Sequence, residues 1–137
     1  MVSLVLLTGF LGLVLPADAE ENWPSWRGSR GDGSSPDETV PLEWTVQKNT
    51  IWKKSLPGKG HASPIVWKDH VFVVAAVEVR RVLLCLDRRS GEERWVRTVL
   101  TSSREPIHRR NSLASSTPVT DGRLVYVSFL DGDEMYV

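Results

Sequence analysis

The chain has 137 residues carrying 17 basic and 17 acidic side chains, long enough for one domain with a buried core. The even balance lacks the clustered basic excess of a nucleic-acid-binding surface. A lone cysteine, Cys85, excludes a disulfide-stapled secreted fold, and six tryptophans scattered from Trp23 to Trp95 point to architecture rather than to one aromatic box.

In chain order, Val2 to Leu15 is almost wholly apolar and uncharged, and Pro16 ends the run. Ala17-Asp18-Ala19 then has the small-x-small form of a cleavage site, followed by Glu20-Glu21. Residues 1–19 therefore read as a secretion signal, which predicts export to the periplasm or the exterior. The run is shorter than the roughly 18 to 20 residues of a membrane-spanning helix. No Lys or Arg precedes it, and no Cys follows it to carry a lipid anchor at this site. The mature protein is thus expected to have no transmembrane helix.

Residues 20–50 form a leader rich in Trp, Gly and Pro. Its turn residues leave little room for a regular element, and Trp23 and Trp26 are large enough that the leader should pack on the rest of the domain. Gly31-Asp32-Gly33 lacks both the lysine of a phosphate loop and the alternating acids of a calcium loop, and reads as a plain turn.

From Ile51 onward the pattern is strand after strand, with no helix. Ile65-Val66-Trp67 and Val71 to Ala75 are β-rich runs parted by the hairpin signal Lys68-Asp69-His70. Val79 to Leu86 follows and ends at the turn Asp87-Arg88-Arg89-Ser90-Gly91. There the Asp87 carboxylate can accept from the backbone two residues on, and Gly91 can take a positive φ. Glu92 to Arg97 alternates polar and apolar, as a half-buried strand does. Cys85, inside the apolar run, reads as a small core hydrophobe and not as a reactive thiol.

The chain also repeats itself. Ser63-Pro64-Ile65-Val66 matches Thr117-Pro118-Val119-Thr120, and Val71-Phe72-Val73 matches Val125-Tyr126-Val127, both at an offset of 54 residues. Trp52 and Trp95 form a second pair at an offset of 43, so the later unit carries an insertion between Val99 and Ser112. Units of about 40 to 45 residues with several strands each lie in the range of propeller blades.

The string Leu84-Cys85-Leu86-Asp87-Arg88-Arg89-Ser90-Gly91-Glu92-Glu93-Arg94-Trp95 resembles the signature of the PQQ-like, quinoprotein-type β-propeller repeat. That signature is an apolar-small-apolar strand, then Asp, two residues, Thr or Ser, Gly, three residues and Trp. Asn22-Trp23-Pro24-Ser25-Trp26-Arg27-Gly28 and Leu42-Glu43-Trp44 resemble the start of secreted bacterial members. The resemblance implies an all-β propeller over residues 51–137, with a first repeat at 51–95 and an incomplete second repeat at 96–137. Trp95 would be a wedge between blades. Fewer than two blades are expected to need further blades or another protein chain, and to expose strand edges if left alone. The stop inside a strand suggests truncation.

The family contains both cell-envelope scaffolds and dehydrogenases that use pyrroloquinoline quinone and calcium. The latter need acidic and amide calcium ligands drawn from many blades, and often a vicinal Cys pair, which this chain lacks. The expectation is therefore a non-catalytic protein-binding or scaffold module of the cell envelope, with no cofactor, no catalytic residue and no metal ligand assigned. The N-terminal part of a quinone-dependent dehydrogenase is the alternative. Chemically capable loop residues are few. His61 and His108 lack a second ligand at a recognisable spacing, Arg104, Arg109 and Arg110 form a solvated basic cluster, and Asp131 and Asp133 flank a turn at Gly132.

Overall fold

The computed structural model describes residues 22–36, 39–102 and 107–137, so residues 1–19, where a secretion signal is expected, lie outside the described part. The described chain is all-β, without a helix, and no helix in it is long and apolar enough to cross a membrane. Four strands, β1 (Ile65–Trp67), β2 (His70–Val77), β3 (Arg80–Asp87) and β4 (Glu93–Thr101), form one antiparallel sheet in sequence order. Two further hairpins follow: β5 (Val119–Thr120) with β6 (Val125–Tyr126), and β7 (Phe129–Asp131) with β8 (Glu134–Tyr136).

β2 and β3 are continuous apolar runs because both faces of the sheet are covered. Alternate side chains go to opposite faces. Phe72, Val74, Ala76, Leu83 and Cys85 join Ile65, Ala114 and Phe129 in one cluster, while Val73, Ala75, Val82 and Leu84 form the other. The first cluster joins the four-stranded sheet to the later unit. Each fully buried side chain such as Leu84 contributes about 1.5–3 kcal/mol of transfer free energy. On β4, Trp95 and Leu100 pack on the same cluster although their numbers differ in parity. The irregularity opposite Arg81 and Val82 supplies the extra residue that switches the face.

The edges of the sheet are managed locally. Trp23 exchanges both backbone hydrogen bonds with Val66 on β1, at 2.8 and 2.9 Å, and Lys59 does the same with Ala76 on β2, at 2.9 and 2.8 Å. Pro24 O also accepts from Thr120 N at 2.9 Å, so residues 22–24 tie β1 to β5. Among the described residues β4 pairs only with β3; the ladder between them carries two irregularities, and β4 presents the exposed charges of Glu93, Arg94 and Arg97. Such features blunt edge-to-edge pairing, which tempers the expected hazard of open edges.

The 54-residue offset extends further in the backbone than in the side chains. Lys68 and Gly122 stand at equivalent positions with φ of 52° and 87°, and Glu78 and Gly132 with φ of 53° and 64°. Ser63 N donates to Thr117 Oγ1 across the same offset, at 3.1 Å. The later copy is less regular. Where β2 runs unbroken, its counterpart splits into β6 and β7 at Val127-Ser128.

Three structural details bear on the sequence expectations. β4 continues to Thr101, so a repeat boundary at 95/96 would cut a strand. Trp26 does not pack into the domain: it is 62% exposed, with the Arg27 guanidinium 4.8 Å from its ring centroid. The leader does not dock along its whole length. Glu43 to Thr50 closes on itself through Thr45 and Lys48, leaving Leu42 95% and Trp44 70% exposed.

Candidate functional site

A cleft of about 790 Å³ opens at the end of the sheet where β2 turns into β3. Its volume lies within the roughly 300–1,000 Å³ typical of small-molecule sites. One wall is the loop Gly58-Lys59-Gly60-His61, the floor includes Ala76 and Glu78, and the facing wall is Ile107, Arg109 and Asn111 to Leu113. By the 54-residue offset, Gly58-Lys59 and Ser112-Leu113 are repeat equivalents, so the cleft lies between the same segment of two units.

Backbone geometry fixes the first wall. Gly58 has φ 70°, and a Cβ there would run into the Ala76 carbonyl. A Cβ at Gly60 would lie 3.0 Å from Val74 O and 3.3 Å from Ala114 O. Only glycines let this loop press against the β2 edge. Ala114 O then accepts from His61 N at 3.0 Å and Ala62 N at 3.2 Å, joining the walls at their base. On the facing wall, Asn111 N donates to His108 O at 2.8 Å, and Ser112 N to Asn111 Oδ1 at 2.9 Å.

The structure thus brings His61 and Arg109 together and adds Lys59 and Glu78, which sequence reasoning did not single out. The only signal was a lysine between two glycines. All four are exposed, and among the described residues none has a side-chain hydrogen bond or ion pair. His108 does not line the cleft, and its Nδ1 accepts from Arg110 N at 3.3 Å. Arg104 lies outside the described residues. Asp131 accepts from buried Ser102 Oγ, and Asp133 occupies the β7–β8 turn. Asp32 accepts from Ser34 N and Oγ, both at 2.8 Å, which makes its loop a turn. Cys85 is fully buried, and burial pushes its thiol up, away from the reactive thiolate. Among the described residues, no three His, Cys, Asp or Glu side chains group as a metal site.

A second constellation is structural. The Asp87 carboxylate accepts from Arg89 N at 2.8 Å and Ser90 N at 2.9 Å, and from Arg94 Nη2 at 2.5 Å. The Arg94 bond, then the two backbone bonds, hold the carboxyl well below the usual carboxylate range. Arg94 Nη1 also meets His70 Nε2 at 3.0 Å. Over this turn lies Trp52, whose indole N–H donates to Arg88 O at 2.8 Å while its ring covers Gly91. Trp95 instead lies half-buried with its ring 6.0 Å from Phe72 on the same sheet.

No family model, curated protein or solved structure matches the chain. The site therefore has to be interpreted from its own residues. Its titratable side chains Lys59, His61, Glu78 and Arg109 stand on loops and turns.

Proposed function

We propose that this chain belongs to an exported β-propeller of PQQ-like repeats and serves as a non-catalytic protein-binding or scaffold module of the cell envelope. The observation that carries the reading is Trp52 seated on the Asp87–Gly91 turn. Trp52 is the sequence counterpart of Trp95, one repeat earlier. A tryptophan from outside the four strands that covers the turn of the sheet adds the packing a stack of sheets needs, because a lone unit cannot bury both faces. The four-stranded antiparallel sheet and the second copy of its first hairpin support the same reading.

Titration of the full chain with pyrroloquinoline quinone and calcium tests scaffold against dehydrogenase. The expected result is no saturable binding at about 10 μM quinone and no dye reduction with alcohols, whereas a Kd below about 1 μM would overturn the scaffold reading. Export is checked by fusing alkaline phosphatase after Val137. Activity of the fusion in a bacterial envelope is expected, and an inactive, cytoplasmically retained fusion would sink the export reading.

A further inference from the structure

We propose that the cleft between the 58–61 loop and residues 107–113 binds a small organic carboxylate. The inference stands on the cleft alone and holds whether or not the parent fold is a propeller. Lys59 and Arg109 approach the cavity from opposite walls, and each is a cation without a side-chain partner among the described residues. A guanidinium can hold a carboxylate through two parallel bonds, and an ammonium adds a point charge. Asn111 has its carbonyl oxygen occupied by Ser112 N, so the amide N–H groups are what it offers to a ligand, and His61 adds a ring nitrogen.

Two features select an organic anion over an inorganic one. The cavity, at about 790 Å³, is far larger than a bare oxyanion requires, and Ala76, Ile107 and Leu113 supply apolar wall. Glu78, the one acid of the lining among the described residues, opposes the attraction of Lys59 and Arg109 for an anion. The loop that presents Lys59 is held in place by the two close glycine contacts, so its backbone does not have to be ordered on binding.

The test is isothermal titration of the full chain with citrate and tricarballylate, with glycerol as neutral probe, at low ionic strength. Saturable binding of both acids, and none of glycerol, is expected below about 10 mM. Arg109→Gln and Lys59→Gln should each weaken citrate about tenfold, and Glu78→Gln should tighten it about two- to fivefold. Arg30→Gln, an exposed cation outside the cleft, should change nothing. All four substituted side chains are exposed, and unchanged far-UV circular dichroism verifies folding. No saturable citrate heat, equal binding of glycerol, or equal weakening by Arg30→Gln and Arg109→Gln would each overturn the proposal.

Discussion

Gly91→Ala is the sharpest perturbation of this fold, because two separate penalties meet at one atom. Gly91 is buried with φ 71°, and a Cβ there would lie 2.6 Å from both Cδ2 and Cε3 of Trp52. An alanine held at positive φ costs about 1–3 kcal/mol. The clash is with a ring, which must move and thereby weaken its bond to Arg88 O, worth about 0.5–1.5 kcal/mol, together with its packing, about 1–3 kcal/mol. The expected loss is about 3–5 kcal/mol, a large part of the roughly 5–15 kcal/mol typical of a domain. Trp52→Ala separates the penalties, because it removes the ring and leaves the backbone cost. In that background Gly91→Ala should cost only the backbone part, about 1–3 kcal/mol, which leaves a coupling of about 2 kcal/mol. The measurement is urea unfolding followed by far-UV circular dichroism, whose signal comes mainly from the backbone and therefore persists without Trp52. A coupling below about 0.5 kcal/mol would refute the idea that the indole rests on Gly91.

Further outcomes follow from the same contacts. Gly122→Ala should also destabilise by about 2–4 kcal/mol, since Gly122 has φ 87° and its Cβ would enter the Trp67 ring; a neutral midpoint in urea would contradict it. Lys68→Gly should stabilise by up to about 1 kcal/mol, because φ 52° strains lysine and glycine is the residue used at the equivalent Gly122; a lower melting temperature would count against this. Leu84→Ala, at a fully buried site, should cost about 2–5 kcal/mol, against within about 0.5 kcal/mol for exposed Val99→Ala. Asp87 has a depressed folded-state pKa, so its contribution is present above its unfolded value and is lost as pH falls through the folded one. Asp87→Asn should flatten the acid limb of the stability–pH curve, and an unchanged limb would show that Asp87 does not drive it.

Much of the sheet could be read before folding was considered. β1, β2 and β3 follow from β-branched and apolar runs, and the Asp87–Gly91 turn from an acid that bonds its own backbone and a glycine at positive φ. The leader was harder. Asn22 to Pro24 and Glu43 to Thr50 have similar turn-rich composition, yet the first bridges β1 and β5 while the second hydrogen-bonds to itself. Composition reports that a segment is irregular, and it does not report which strand edge lies within reach.

The repeat shows the same division. Matching side chains place two copies at an offset of 54, and that needs no coordinates. The left-handed backbone at Lys68 and Glu78 was invisible, because neither residue prefers that conformation and only the neighbouring strands hold it there. The cleft was equally hidden. Lys59, Glu78 and Arg109 lie far apart along the chain, and they meet only because glycines 58 and 60 press one loop onto β2 while Ala114 draws the other alongside. Local patterns specify elements through short-range sterics and periodic burial. A binding site depends on contacts between distant segments, and those arise only when the sheet has formed.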